Sequence, residues 1–557
     1  MIFKTKISKI TIEPDDFPDE IKKQINCILN IIESQGSRIA ELEADKQSLK
    51  DEINRLKGEQ GKPNIRANTK NSDISSEDER RSNTKPTNLP KKKAKTKRNH
   101  KVDQEVRLSE KPNNLPEDAI YKGIHETITN DLVIKRVTIK FKRSVWYSPS
   151  LNKTYYSPLP NGYKGEYGPG VRSFVLSAYE DGTMSQGPLT RLLNHLGISI
   201  VQSTVNRMLN DPKSFIYKEK QNIIYAGKLS SQYQQTDDTG SRVRGKNWYT
   251  HIVCNKFFST FFTRPRKDRL TITEVLAGGT NSFRFNKLTF DIMESCGLPI
   301  KSINLLKEEY KTDQKVMRED VDQVLNKFYP DPYKHTTNRK IILESAAISA
   351  YRQSEYHAKI LMGDLAGQFD RITVLRALCW VHEGRFYKKL NPMIGRYRTI
   401  LKDFITDFWR FYRKLCSYRK NPTDIDKKVL NTAFDELFSR STGYDDLDKL
   451  ISKTRSRKQV LLLVLDHPEI ELHNNDCESG IRAQVRRRDV SLHNQNEKGV
   501  EAKDARMTLS QTAKKLGVNL YEYTYDRITQ KFQMPALADL IIEKASLDKL
   551  VPYTDTS

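Results

Sequence analysis

Three short acidic segments constrain this chain more than any other feature. They are 235–239 (Gln-Thr-Asp-Asp-Thr), 361–364 (Leu-Met-Gly-Asp) and 474–478 (Asn-Asn-Asp-Cys-Glu). Each sets an acid at the end of an expected strand or in the first turn of an expected helix, where the backbone is locked and the side chain has little freedom. Asp237, Asp364 and Glu478 are the candidates. Brought together, three carboxylates can hold two divalent metals, and two metals can cut and join phosphodiester backbones. Carboxylate oxygens with retained waters suit Mg²⁺, or Mn²⁺ in its place. Each acid also has a plainer reading. An Asp at a strand end is commonly a turn former. Asn475 with Glu478 is like a capping box, and Glu478 with Arg482 is an i,i+4 surface pair. Asp238, Asp370 and Asp476 stand in reserve.

Charge narrows the partner. The 557 residues carry 95 Lys+Arg against 70 Asp+Glu, a formal net charge of +25. A chain this basic that still gathers acids in one place points to an enzyme acting on nucleic acid, double-stranded DNA foremost. Six cysteines are scattered without a Cys-x-x-Cys pair. That excludes a zinc ribbon and a dense disulfide framework, and it fits a reduced, cytoplasmic setting. No secretory leader and no membrane span are expected, since residues 1–12 lack a long apolar stretch and the longest apolar run, 460–465, is short.

The clearest periodicity lies near the N-terminus. Ile25, Ile32, Ile39 and Ile53 fall at heptad position a, and Leu42, Leu49 and Leu56 at d. The pattern predicts a coiled-coil dimerisation helix over 17–58, two-stranded and parallel, with Lys46 at a discouraging larger assemblies. An amphipathic helix packed on its own protein is the alternative. Residues 59–116 read as a basic disordered linker. Its run 91–98 (Lys-Lys-Lys-Ala-Lys-Thr-Lys-Arg) is either solvated chain or a tether to phosphates. A small β-rich region is expected over 117–165, from alternation within 132–160. Helical text over 166–225 has helix-turn-helix spacing at 191–209. Ser203, Thr204, Asn206 and Arg207 on its second helix would meet DNA bases. A plain helical hairpin is the alternative.

From residue 231 the text turns to strands. Segments 233–239, 248–255 and 257–263 predict an antiparallel meander. Helices are expected at 290–296 and 319–328, and short strands at 359–363 and 377–381. A long amphipathic helix follows at 394–418. An arginine-rich helix opens at Asn475, and 531–557 reads as a C-terminal tail.

At the acidic segments the chain resembles the DDE transposases of the insertion-sequence-66 family of bacterial mobile elements. The family's Asp-Glu-Thr element resembles Asp237-Asp238-Thr239. Its Ala-Asp-Gly-Tyr-Ala-Gly-Tyr element is similar to Gly363-Asp364-Leu365-Ala366-Gly367-Gln368-Phe369, and its Cys-Trp-Ala-His to Cys379-Trp380-Val381-His382. Its Asp-Asn-Asn-x-x-Glu-Arg-x-x-Arg resembles 473–478 with Arg482. Two departures stand out. The family's Cys-x-x-Cys zinc element is replaced by Trp146-Tyr147-Ser148-Pro149, and Ser479 stands where an Arg follows the third acid. The long interval from Asp237 to Asp364 implies an insertion.

The resemblance implies an α/β fold with a ribonuclease-H-like catalytic core. Its parts would be 226–384, with an internal insertion, and 466–530, which carries the third acid. A helical insertion at 385–465 would separate them. It also implies that Asp237, Asp364 and Glu478 bind Mg²⁺ or Mn²⁺ and catalyse. His382, Arg482 and Arg486 would contact DNA, with a buried structural His and a solvated basic face as the alternatives. The expected function is that of a transposase: binding the ends of an insertion sequence, cleaving there, and joining the freed 3′-hydroxyl to target DNA. Expected partners are element ends and target duplex, a second copy of the chain at least, and small accessory proteins, with no membrane, in a bacterial, nucleoid-associated setting. Two rivals are an inactive transposase-derived DNA-binding protein and a ribonuclease-H-like DNA nuclease.

Overall fold

The computed structural model describes residues 17–56, 102–108, 116, 118–491 and 494–548. Most of the expected linker 59–116, the run 91–98 included, lies outside them. The first helix, α1 (Asp19–Leu56), is continuous, but its first half packs on its own protein. Leu29 and Glu33 are buried, and Ile25 and Ile32 lie against the main core. The Glu33 carboxylate accepts the backbone N–H of Met393 at 2.6 Å and of Ile394 at 3.0 Å. Those two residues lead into a later helix, so Glu33 caps orphan donors and complements the helix dipole. Within the expected coiled-coil helix 17–58, the first half is thus occupied by contacts to its own chain. Farther along, Ile39, Leu42, Leu49 and Ile53 are exposed.

The expected β-rich region reduces to one hairpin, β1 (Val145–Ser148) with β2 (Lys153–Tyr156). The alternating stretch 132–139 forms no regular element and joins no ladder among the described residues. Helices α2 (Pro169–Glu180), α3 (Gln186–His195), α4 (Gln202–Leu209) and α5 (Ile216–Ser230) follow. Between α3 and α4 the chain turns at Gly197, whose φ of +82° needs a residue without Cβ. Leu189 and Leu193 on α3 and Val205 and Leu209 on α4 supply the shared buried face.

The central sheet has five strands, in the order β5 (Ser259–Arg264), β4 (Lys246–Cys254), β3 (Tyr233–Val243), β8 (Ile360–Gly363) and β9 (Leu375–Leu378). Strands β3 (Tyr233–Val243), β4 (Lys246–Cys254) and β5 (Ser259–Arg264) form the expected antiparallel meander. The first of them runs longer than expected. Its polar second half stays paired to β4 up to a tight turn at Arg244 and Gly245, both at positive φ. Asp237 therefore sits inside a strand, not at its end.

Between β5 and β8 lies a helical unit: α6 (Arg269–Ala277), β6 (Phe283–Phe285), α7 (Lys287–Ser295), α8 (Ile300–Glu309), β7 (Gln314–Val316), α9 (Arg318–Phe328) and α10 (Thr336–Arg352). It has its own apolar core, with Phe283, Phe285, Met293, Leu306 and Leu325 buried. This unit accounts for the long interval between the first two acids.

Strands β8 (Ile360–Gly363) and β9 (Leu375–Leu378) extend the sheet in parallel from β3. The strand expected at 377–381 stops early: Cys379 caps α11 (Trp380–Lys389). A helical block follows, α12 (Gly395–Lys420), α13 (Asp424–Phe438), α14 (Asp445–Ser456) and α15 (Lys458–Leu461). Its core is aromatic, with Trp380 ringed by Phe408, Phe411, Phe434 and Phe438. Helix α16 (Asn475–Ser491) then returns to the sheet, followed by α17 (Glu497–Leu516), α18 (Leu520–Thr529) and α19 (Leu537–Leu547). The last of these replaces part of the expected C-terminal tail, burying Leu537 and Ile541.

Candidate active site

Two strands set the first two acids. The parallel register pairs Tyr233 with Ile360, Gln234 with Leu361 and Gln235 with Met362. Two more residues along each strand direction reach Asp237, within β3, and Asp364, just past β8, so the two acids stand at the same level. Asp364 is the residue just after β8, and its Oδ1 accepts the N–H of Ala366 at 2.9 Å. That turn is held by two arginines which sequence reasoning missed. Arg376 donates to the carbonyls of Asp364 and Ala366, and Arg269 donates to those of Gly367 and Asp370 while pairing with Glu344 at 2.8 Å. Burial lowers the Arg376 guanidinium to about 10.

Glu478 arrives on the first turn of α16. Two contacts fix that helix end. The buried Asn474 side chain donates to the Thr236 carbonyl at 3.0 Å, next door to Asp237. Gly480 lets the helix lie close on the sheet, since a Cβ there would meet Ile252 at 3.1 Å and Phe261 at 3.3 Å. One residue before Glu478, the Cys477 and Cys254 sulfurs lie 2.9 Å apart in a buried apolar cluster.

The electrostatics tie the three acids together. The Asp237 carboxyl is pushed up to about 7, first by burial and then by the charges of Asp364, Asp238 and Glu478, while the Asp238 N–H opposes the rise. Glu478 is held by cations. Arg385 donates to its Oε1 at 3.1 Å and Arg482 to its Oε2 at 3.2 Å. Among the described residues no three His, Cys, Asp or Glu side chains close around one metal position. The paired orientation of Glu478 is a physical reason for that.

His382 stands beside this pair. Its Nε2 is 3.9 Å from Glu478 Oε1 and 3.1 Å from the Arg385 guanidinium. Burial and Arg385 both lower its pKa, so the ring is neutral at pH 7 and the approach to Glu478 is not an ion pair. Burial raises the neighbouring Cys379 thiol to about 11. Of the reserve acids, Asp238 faces Lys267 at 3.8 Å and accepts from Gln368 at 3.3 Å, and Asp370 pairs with Arg376.

The other expected contacts divide. Arg486 is exposed and Arg482 half-buried on α16, whereas the neighbouring Arg487 is buried. Ser203, Asn206 and Arg207 are exposed on α4 and Thr204 is half-buried. These four lie on a different element from the acids. Arg207 donates to Thr204 at 2.9 Å, and Asn206 accepts from Gln186 on α3 at 3.0 Å.

Comparison with known proteins bears on this arrangement. A protein of Sinorhizobium fredii, "Uncharacterized protein y4jO", is 30% identical over 329 residues, which span 58% of this chain and 100% of that protein. No solved structure matches significantly. A family model, "Transposase IS66 family", matches residues 344–502. That span holds Asp364, His382 and Glu478, while Asp237 lies before it. The chain belongs to the IS66 family of transposases.

Proposed function

We propose that this chain is a DDE-type transposase that cleaves DNA at the ends of its element and joins the 3′-hydroxyl to a target. The observation that carries the reading is the shared level of Asp237 and Asp364 on parallel strands, with Glu478 facing them from α16. The sheet order supports a ribonuclease-H-like core: an antiparallel meander whose first strand carries one acid and pairs in parallel with the strand preceding the next.

The donor set fits a hard divalent cation. Carboxylate oxygens are the ligands Mg²⁺ and Mn²⁺ take, and Asp237 is buried among like charges that a cation would offset. Asp237 and Asp364 would hold it, with Glu478 joining. What the cation supplies when bound is activation of a water and then a 3′-hydroxyl, and stabilisation of the leaving oxygen. The chain's own residues do the rest. Arg269 and Arg376 fix the Asp364 turn, and Asn474 fixes α16 against β3. Arg385 and Arg482 neutralise Glu478 and are suited to exchange it for a DNA phosphate. Neutral His382 orients Arg385. The helices α3 and α4 supply a DNA-reading pair with Ser203, Thr204, Asn206 and Arg207, and Arg486 adds a phosphate contact. A second copy pairs through α1.

A joining assay with pre-cut element ends and a target duplex in Mg²⁺ tests the reading. Joined product is expected. Hydrolysis without joining would favour the nuclease, and binding with neither reaction would favour an inactive DNA-binding protein.

A further inference from the structure

An acid-free stretch precedes the helices α2 to α4. From Leu132 to Gly165 there is no Asp or Glu, while Lys135, Arg136, Lys140, Lys142 and Arg143 crowd nine residues. The first part of this stretch is an exposed arm with neither helix nor ladder partners among the described residues. Arg136 anchors it beside the α3–α4 turn by donating to the Gly197 carbonyl at 2.7 Å. The arm then enters the β1–β2 hairpin, where Arg143 donates to the Ser157 carbonyl at 2.5 Å.

The hairpin buries neither face. Its register sets Trp146 opposite Tyr155, and Val145 opposite Tyr156. Successive residues point to opposite faces, so Trp146 and Tyr155 share one face and Tyr147 and Tyr156 the other. All four rings are 41–59% exposed. Cations lie over them, Arg143 above Tyr156 at 5.2 Å and Lys153 above Tyr155 at 5.3 Å. An isolated two-stranded hairpin is marginal in water, and one with large rings outward on both faces gains nothing from its own core. Its chemistry is cations without acids, interleaved with exposed aromatics. That combination suits a polyanion which also offers flat apolar surfaces, and DNA has both.

We infer that the arm 132–143 and the hairpin 145–156 form a second DNA-binding element, which holds duplex beside the contact made by α4. The arm's cations follow the phosphates and set the register without reading sequence. The hairpin's rings pack on sugars and base edges. The inference rests on the transposase reading only in that DNA is the ligand.

The test uses the full-length protein and a random-sequence duplex, measured over a range of salt. In one variant Lys135, Lys140 and Lys142 become Gln; in the other Trp146, Tyr155 and Tyr156 become Ala. Because all these side chains are exposed, far-UV circular dichroism and the melting temperature should stay at wild-type values. The first variant should flatten the slope of log K against log salt by about 0.9 per lost phosphate contact. The second should weaken binding about tenfold or more with the slope unchanged. Wild-type affinity and slope in both variants would overturn the inference, even if the hairpin were found to bind another protein. A wild-type protein that binds no duplex at all would instead remove the transposase reading.

Discussion

The Arg506 side chain donates from Nε to the Glu180 carboxylate at 2.9 Å, joining residues 326 positions apart. Both side chains are about 95% buried, and Arg506 also donates to the Leu209 carbonyl at the end of α4. Arg487, on the helix that carries Glu478, lies 3.9 Å from Glu180 and stacks 3.9 Å from the Tyr179 ring centroid. One buried carboxylate thus links the proposed DNA-reading helices to the helix of the third acid.

Removing that carboxylate strands two buried guanidiniums. Glu180→Gln should cost about 3–5 kcal/mol of unfolding free energy, measured by urea titration. The exposed pair Arg38–Glu41, at 3.0 Å, gives the contrast: Glu41→Gln should cost about 0–1 kcal/mol. Equal losses in the two variants would mean that the Glu180 network carries no special weight.

Neighbouring arginines on α16 should separate in the same way. Arg487→Ala should destabilise the fold, since its side chain is buried. Arg486→Ala should leave stability unchanged and lower the salt slope of DNA binding by about one contact, roughly 0.9. A stability loss from Arg486→Ala, with unaltered DNA affinity, would reverse the two roles.

The Asp237 carboxyl sets a pH dependence. Its folded-state pKa is raised from 3.8 to about 7, so the folded protein binds the proton more tightly than the unfolded chain. The stability this contributes is full below pH 3.8 and is lost as pH rises towards and through 7. Without divalent cations the loss over that window should be on the order of a few kcal/mol. Asp237→Asn should abolish this component, which unfolding titrations at stepped pH would detect. Parallel wild-type and variant curves would mean that Asp237 is not strained by its neighbours.

Much of this architecture is legible in local pattern. The meander reads from alternation, and the arginine-rich helix reads from its start at Asn475. What escapes depends on tertiary partners. Residues 132–139 alternate like a strand, but no neighbouring chain pairs with them among the described residues. Glu33 looks like a surface charge beside a heptad seam, and its role as a cap for Met393 and Ile394 lies 360 residues away. Arg487 shares its basic run with Arg486 and Arg488, and only the approach of Glu180 and Tyr179 turns it inward. Asp237 looks like a strand end because its strand continues in polar residues, which are kept in the strand by the β4 register and by bonds from Arg488 and Asn494.

Dimerisation should depend on the distal half of α1. In a parallel pair, Arg38 at g meets Glu43 at e of the second copy, and Asp45 meets Lys50, both attractive. Leu42→Asp with Leu49→Asp should convert a dimer into a monomer by light scattering, with the melting temperature of the body unchanged. An unaltered mass would place dimerisation elsewhere.

Asp237, Asp364 and Glu478 are proposed to act together on DNA. The direct measurement is nicking of a duplex carrying the element's end in Mg²⁺, with a gel shift on the same protein. Wild type should nick. Asp237→Asn, Asp364→Asn and Glu478→Gln should each bind the duplex with near wild-type affinity and fail to nick, because binding rests on phosphate contacts elsewhere. Full nicking by any one of the three variants would show that its acid takes no part in the chemistry.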